Sequence, residues 1–357
     1  MFKGKLKLKG KIEMRNLIKL CLSALLIAVF CFQHNTVLAQ GKINLKFHSS
    51  FGKSPLNMAP RGWMDEVEKR TNGKVKFTRV FGGSLGKLTA QPENIKVGAF
   101  DVGNISVVYN PGLYALSNVV SLPFMSTDAL VHAKAAHELH SSGVTNEEFT
   151  KMNQKYLFPG MWTKIQLMSH EPVRTIADLR KQKIRAHGGA SELLKTMGIP
   201  VYGIPWGELP SAAERRVVTA GIIGAPVDAY AFGFGKLVKY WNQGDDWFFF
   251  PLTCVMNLDT WKKLPADVKK VIDQTNTDMI LKGRQMMAAL EKKNGALLAK
   301  QAKTAKFEER GKLLAVRDKT WQNWVNARNK EGKNGQAVLD RFLSLLKKYK
   351  SEFLAPI

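Results

Sequence analysis

The chain has 357 residues, 45% of them hydrophobic, and a formal net charge of +25. This length is sufficient for two domains of ordinary size, and the apolar content excludes a disordered chain. A basic excess is compatible with nucleic acid, with an acidic surface or with an anionic ligand. The lysines are spread along the whole chain without a recognition-helix, zinc-finger or RNA-binding signature. We therefore do not expect a nucleic-acid-binding protein.

Residues 1–39 have the order of a secretory signal peptide, which is basic, then apolar, then cleavable. Seven basic residues lie between Lys3 and Lys19, and an apolar run follows from Leu20 to Phe32. This run is shorter than the roughly 20 residues that span a membrane, which disfavours an uncleaved anchor. The sequence therefore predicts export to the periplasm, with cleavage near Ala39.

Removal of this segment changes both the charge and the cysteine content. Translation begins at Met1 or Met14, since a basic stretch and the apolar run follow either residue. Without residues 1–39, which hold seven Lys or Arg and one Glu, the net charge is +19. Cys254 is then the one cysteine left, so the mature chain can form no intrachain disulfide. Because Cys254 lies in an apolar run, we expect it in the core.

The first part of the mature chain alternates between strand and helix patterns. Gly73 is placed for a left-handed helix C-cap, which ends the first helical stretch. The expected elements are strands at 43–47, 74–81 and 101–108 and helices at 54–72 and 94–98. This order predicts an α/β unit with a mostly parallel sheet.

A second α/β unit is predicted in the middle of the chain. Its expected elements are helices at 128–140, 176–179 and 191–197 and strands at 157–169, 183–186, 200–202 and 221–224. A long helical segment then starts at Leu264, and its apolar positions continue to Leu298. Its length without an intervening strand predicts a helix that crosses both units.

The sequence contains no evident catalytic or metal-binding motif. His137 and His140 flank Glu138 and Leu139, but the second histidine comes one position too early for the His-Glu-x-x-His zinc motif. We expect these two residues and His132 to be exposed helical histidines. No nucleophile and base can be paired, so we predict no enzyme, no metal and no cofactor.

Several short segments, in this order, resemble one family. They are Ser54-Pro55, 66–75, 82–86, 97–102, 122–124, 172–174, 178–179, 183–185, 205–209, 217–226, 256–257 and 261–265. Together they are similar to the DctP-type solute-binding subunits of tripartite ATP-independent periplasmic (TRAP) transporters, over almost the whole mature chain.

The resemblance implies a type II periplasmic-binding-protein fold, with two α/β lobes, a hinge and a long domain-spanning C-terminal helix. Lobe I is expected at 40–165 with a return segment at 254–285. Lobe II is expected at 166–253, and C-terminal helices at 286–357 would pack across both lobes.

The resemblance also implies a function in transport. The protein would bind a small organic acid in the periplasm and deliver it to the small and large integral membrane subunits of an ion-gradient-driven system. A ligand-sensing subunit for a signalling partner is the alternative that the sequence leaves open.

Arg185 is the main candidate for the binding site. In the family, the arginine at the end of the matching Lys-Ile-Arg strand fixes the ligand carboxylate, and a guanidinium offers paired donors for two carboxylate oxygens. Trp206 lies in a segment that faces the cleft in relatives, so its ring is expected to cover the ligand skeleton. Ala225 stands where some relatives have an asparagine that contacts the ligand, which puts that contact in doubt.

Other candidates come from the aromatic residues after Pro226 and from strand ends. Aromatic lining would favour an aromatic or branched acid over a sugar acid. The further candidates are Trp162, Lys164, Tyr230, Phe232 or Phe234, Asn104 and Phe51. Asn104 and Phe51 are included because ligands of open α/β sheets gather where strands end; Trp162 and Lys164 are included because relatives place contacts on that strand.

Overall fold

The computed structural model describes residues 41–52, 54–234 and 239–354. The predicted signal peptide at 1–39 lies outside this range. The side chains of Met161, Trp162, Ala231, Phe353 and Leu354 are not described. Among the described residues, no helix combines the length and the apolar character needed to cross a membrane.

Ten strands are present in the described part of the chain. They are β1 Ile43–Ser49, β2 Val75–Phe81, β3 Val102–Ile105, β4 Gln154–Ser169, β5 Ile184–Arg185, β6 Val201–Tyr202, β7 Ala220–Ile223, β8 Tyr240–Trp241, β9 Phe248–Asn257 and β10 Lys303–Thr304. Their order is β2-β1-β3-β9-β4-β7-β5-β6, with β8 paired to β4 and to β10.

Twelve α-helices accompany these strands in the same described range. They are α1 Met58–Arg70, α2 Gln91–Lys96, α3 Ala129–His140, α4 Gly143–Lys151, α5 Ile176–Arg180, α6 Gly188–Thr196, α7 Leu209–Glu214, α8 Val227–Ala231, α9 Leu258–Lys263, α10 Ala266–Leu298, α11 Arg310–Lys330 and α12 Gly335–Leu354. After α1, Gly73 adopts a φ of 75° and its N–H donates to the Glu68 carbonyl at 2.9 Å. The predicted C-cap is therefore present.

Two long antiparallel strands connect the two halves of the sheet system. The register of β4 with β9 runs from Gln154 opposite Asn257 to Ile165 opposite Phe248. Beyond that point, residues 166–169 of β4 pair with β7 instead. On one side β1 and β3 are parallel, and on the other β5 is parallel to β6 and β7. The result is a two-lobe α/β fold in which each lobe has a parallel centre.

Strand β9 was not expected from the sequence. It is buried over nearly its whole length, so it shows no alternation of polar and apolar residues. Cys254 lies within it and is fully buried, as expected. The predicted lobe boundaries, at 165/166 and 253/254, fall inside β4 and β9, and they stay a prediction.

Helix α10 is the long helix that the sequence predicted. Its 33 residues extend roughly 50 Å at 1.5 Å per residue. It packs against α1 near one end, where the Trp63 indole N–H donates to the Asn276 side-chain oxygen at 2.8 Å. It also packs against α8 and approaches Pro226 at Gly295, so it contacts elements of both lobes.

The expectation that the histidines of α3 are exposed was wrong. His132 and His140 are each 1% exposed, and His137 is partly buried against Tyr156. Helix α3 lies between β4 and α12, so it is covered on two faces rather than one. The helix that covers the second face, α12, comes from the end of the chain. The spacing of apolar residues within α3 does not reveal this contact.

Candidate functional site

A cavity lies where β4 and β9 pass from one lobe to the other. Its free volume in this conformation is about 30 Å³, well below the roughly 300–1,000 Å³ of a small-molecule site, so a bound ligand requires the lining residues to move apart. Both lobes contribute to it. Its lining residues are Phe51, Leu56, Tyr109, Ile165, Arg185, His187, Trp206, Ile222, Ile223, Gly224, Asp228, Phe248 and Phe250.

Arg185 ends β5 and lies in this cavity with only 5% of its surface exposed. Its Nε donates to the Ile204 carbonyl at 3.1 Å, and its Nη2 donates to the Tyr109 hydroxyl at 2.8 Å. A guanidinium has five N–H donors, so capacity for a ligand remains. The guanidinium also lies 5.5 Å from the centre of the Trp206 ring.

The charge of Arg185 has no acidic partner among the ion pairs of the described residues. A buried charge without a counter-ion is costly, because it loses its hydration without compensation. The Tyr109 hydroxyl and the Ile204 carbonyl supply dipoles but no negative charge. The site is therefore electrostatically matched to an anion.

His187 adds no second positive charge at neutral pH. Burial, with a smaller contribution from the Arg185 charge, lowers its pKa to about 4. Its Nε2 lies 3.1 Å from the Ile204 carbonyl, so the neutral ring carries its proton there. The ring packs on Tyr109 with 4.7 Å between centres.

Asp228 lies in the first turn of α8, 7% exposed, and it also lines the cavity. Its Oδ1 has no hydrogen-bond partner among the described residues. Burial raises the pKa of this carboxyl to about 7, although the positive charge of Arg185 acts in the opposite direction. A Cβ on Gly224 would stand 2.0 Å from Asp228 Oδ2, so the carboxyl occupies its place only because residue 224 is glycine.

The remaining lining is mostly apolar. Five aromatic residues contribute to it: Phe51, Tyr109, Trp206, Phe248 and Phe250. Leu56 and three isoleucines, Ile165, Ile222 and Ile223, complete it. An anion that fits this lining has a single charged group and an apolar body.

Three of the residues singled out in the sequence meet at this cavity, namely Arg185, Trp206 and Phe51. Phe232 stands edge-on to Trp206 at 5.4 Å and lines an adjoining groove together with Lys87 and Glu208. This groove shares Phe51, Tyr109 and Trp206 with the cavity.

The other predicted residues lie elsewhere or are not described. Lys164 pairs with Asp246 at 3.0 Å, and Tyr230 is 37% exposed outside the lining. Asn104 is fully buried and its Nδ2 donates to the Asn57 side-chain oxygen at 3.3 Å. Phe234 packs against Gly221 in the core. Trp162 stands opposite Pro251 in the β4–β9 register, and its side chain lies outside the described ones.

Tyr109, His187 and Asp228 were missed in the sequence. Tyr109 follows a predicted strand, and its approach to Arg185 across the lobes is a tertiary contact. Asp228 did carry a signal, because it is the one acidic residue in the apolar stretch 217–234. The described residues contain no group of three or more His, Cys, Asp or Glu that could hold a metal ion.

A family model for bacterial extracellular solute-binding proteins of family 7, DctP, matches residues 51–328. The chain belongs to this family. The match confirms the resemblance drawn from the short segments, and the family consists of solute-binding receptors rather than enzymes.

Individual relatives of this DctP-family protein are distant. A monocarboxylate 2-oxoacid-binding periplasmic protein from Nostoc sp. strain PCC 7120 is 24% identical over 210 residues, which is 57% of this chain and 57% of the relative. A solute-binding protein from Albidiferax ferrireducens is 27% identical over 61% of this chain and 65% of its own length. The matches thus span less than two thirds of these relatives.

Solved structures agree in fold over nearly their whole length. A marine metagenome TRAP solute-binding protein specific for aromatic acid ligands, in complex with metahydroxyphenylacetate, has a TM-score of 0.78 at 21% identity and covers 86% of this chain and 99% of its own. A TRAP periplasmic solute-binding protein from Desulfovibrio salexigens has a TM-score of 0.73 at 26% identity and covers 87% and 97%. These likenesses confirm the two-lobe fold.

Proposed function

We propose that this DctP-family protein captures a small monocarboxylate in the cavity between its lobes, with the ligand carboxylate on Arg185. The observation that carries the proposal is the buried charge of Arg185, which forms no ion pair among the described residues and lies where both lobes meet. Two N–H donors of a guanidinium match two carboxylate oxygens, and a cavity shielded from water strengthens that pair.

The charge and the apolar side chains of the cavity lining restrict the kind of acid that the protein would bind. Among the described lining residues, Arg185 is the one positively charged donor at neutral pH, because His187 is neutral. Lys164 lies outside the lining and pairs with Asp246. A second carboxylate on the ligand would meet aromatic rings and aliphatic side chains, and its desolvation would be uncompensated. A hydroxyl-rich sugar acid would leave most of its hydroxyl groups without a partner in this lining. An aromatic or branched monocarboxylate fits best, and the names of two relatives, one for 2-oxoacids and one for aromatic acids, are compatible with it.

The biological setting follows from the family. As a member of DctP, the protein is proposed to act in the periplasm, after cleavage near Ala39, and to pass its ligand to the small and large integral membrane subunits of a TRAP transporter. The ion gradient, not ATP, would drive uptake. A ligand-sensing subunit for a signalling partner remains the alternative, and neighbouring genes for a transporter or a sensor kinase distinguish the two.

A thermal-shift screen of residues 40–357 tests the ligand class. A ligand that binds only the native state raises the melting temperature by mass action. At a ligand concentration of a hundred times Kd, the free energy of unfolding rises by about 2.7 kcal/mol. The panel comprises aromatic and branched monocarboxylates, 2-oxo acids, dicarboxylates and uronates, and the matched control is the primary amide of the best acid.

The expected result is a shift with one or more monocarboxylates and none with the amide. Equal shifts for an acid and its amide would contradict recognition through the carboxylate. Larger shifts with dicarboxylates or uronates would contradict the class of acid proposed here.

A further inference from the structure

Asp228 is a buried carboxyl group for which the fold provides no partner. Its Oδ1 is inaccessible to solvent and receives no hydrogen bond from the described residues. A polar group left in this state destabilises the folded protein, and native proteins contain few of them. The bare Gly224 leaves room for the carboxyl at this place, since any larger residue would collide with it. Such an arrangement is expected where a ligand supplies the missing partner.

Among the described residues, Arg185 is the one net charge that acts on Asp228. Helix α8 packs on α10 and on the turn at 55–57, where Val227 meets Leu56 and Met287 in an apolar cluster. On α10, Arg284 and Glu291 neutralise each other at 2.7 Å. Across the cavity lie Arg185, the neutral His187 and the Tyr109 hydroxyl.

These surroundings determine the protonation state of the carboxyl. Burial raises the pKa of Asp228 to about 7, and Arg185 partly offsets that rise. A ligand carboxylate on Arg185 cancels the offset and also excludes water from the cavity. Both changes disfavour the ionised form, so the pKa rises further in the complex. The protonated Asp228 side chain then has an O–H donor, which needs an acceptor oxygen.

We propose that Asp228 takes up one proton from solvent when the ligand carboxylate binds Arg185. The protonated Asp228 side chain then donates a hydrogen bond to an acceptor oxygen of the ligand outside its carboxylate. The inference rests on the proposed function and makes it more specific. It assigns the ligand to monocarboxylates that carry an oxo group near the carboxylate, and it makes ligand binding proton-linked.

The proton uptake is measured by titration calorimetry of wild-type protein in buffers with different heats of ionisation. The probes are phenylglyoxylate and phenylacetate, which differ only in the oxo group, together with the best acid of the thermal-shift screen. About one proton per ligand is expected at pH 8, and the affinity for phenylglyoxylate should be roughly eightfold weaker at pH 8.5 than at pH 7.5. An infrared band of a protonated carboxyl should grow when the ligand is added.

Two variants assign the proton. Asp228→Asn keeps an N–H donor but has no proton to bind, so its proton uptake should be zero and its affinity independent of pH. In Asp228→Leu the preference for phenylglyoxylate over phenylacetate should be lost, because no donor faces the oxo group. The calorimetric count and the infrared band in wild-type protein test the proposal even where a variant does not fold.

Several results would overturn the inference. Binding without proton uptake in wild-type protein removes the role of Asp228 and leaves the proposed function intact. Proton uptake that persists in Asp228→Asn but disappears in His187→Gln assigns the proton to the histidine instead. A wild-type protein that binds no acid of the screen overturns the proposed function and this inference together.

Discussion

Under the proposed function, the buried charge of Arg185 destabilises the unliganded protein and stabilises the complex with the ligand. Its guanidinium is buried beside the Tyr109 hydroxyl and the Ile204 carbonyl, and it forms no ion pair among the described residues. A buried charge outside any ion pair loses its hydration without compensation, so an apolar residue of similar volume at this position is not expected to destabilise the fold. Removal of a binding residue should therefore abolish ligand binding and leave the stability of the unliganded protein nearly unchanged, whereas removal of a structural residue should lower that stability.

Arg185→Met is expected to abolish acid binding without destabilising the unliganded protein. Its melting temperature without ligand should lie no more than about 3 °C below that of the wild type, which corresponds to about 1 kcal/mol for a protein of this size. The melting-temperature shift with acid should vanish. Arg61→Met, a change of an exposed arginine on α1, is the matched control and should keep the shift. A variant that still binds acid, or that melts far below the wild type, contradicts the role assigned to Arg185.

Arg185, which the sequence singled out, lines the cavity, whereas several of its neighbours there were not expected from the sequence. Arg185 could be identified because it ends a short segment that resembles the family motif, and Trp206 because it lies in another. Tyr109 and Asp228 could not, since each reaches the cavity through a contact between distant parts of the chain. Lys164 was predicted from its strand, but Asp246, 82 residues later, pairs with it.

At the scale of elements, α3 is the helix whose environment differs most from its sequence pattern. His140 packs against Phe149 and Tyr156, and neither of its ring nitrogens has a hydrogen-bond partner in the described part of the chain. Burial lowers its pKa to about 3 and the pKa of His132 to about 4. In the unfolded chain both titrate near 6.5.

The buried histidines predict a loss of stability in mild acid. Their pKa values are lower in the folded state, so between about pH 6.5 and pH 4 the unfolded chain binds more protons and stability falls as the pH falls. His140→Leu removes one of these protonation sites. Its loss of unfolding free energy between pH 7.5 and pH 5 should be smaller than that of the wild type by about 2 kcal/mol. Denaturant unfolding at both pH values measures this difference, and an equal loss in the two proteins would refute it.

Elements with a clear local period were predicted well. The helix α1, the strands β1 and β2 and the long helix α10 follow their patterns closely, because each has one buried and one exposed side. Strand β9 was missed because the core covers both of its faces, and β3 proved shorter than expected. The strand was expected to end at residue 108, but residues 107–109 form a 3-10 turn that brings Tyr109 to the cavity.

At the scale of the whole molecule, the cavity depends on how the lobes are joined. Strands β4 and β9 run through both lobes, and α10 packs against elements of each. The joint is therefore built of continuous elements rather than of a flexible tether. A hinge of this kind permits closure around a ligand while it limits other motions. The hydrogen bond from Arg185 to Tyr109 is a contact that such closure would make or exchange.

Binding of the ligand should therefore shift the lobes toward the closed arrangement. Under the proposed function, a carboxylate on Arg185 would interact differently with open and closed forms, which is the condition for a ligand to change their populations. The two-lobe arrangement was predictable from the resemblance to the family. The position of the cavity at the crossing of β4 and β9 was not, because the sequence did not reveal β9.

The most direct test of the central claim is a crystal structure of the protein with the acid that gives the largest thermal shift. The expected complex has both carboxylate oxygens within hydrogen-bond distance of the Arg185 guanidinium and the apolar body of the acid among Phe51, Trp206 and Phe250. A carboxylate bound elsewhere, for instance at Lys87 in the adjoining groove, with Arg185 still held only by Tyr109 and Ile204, would contradict the account.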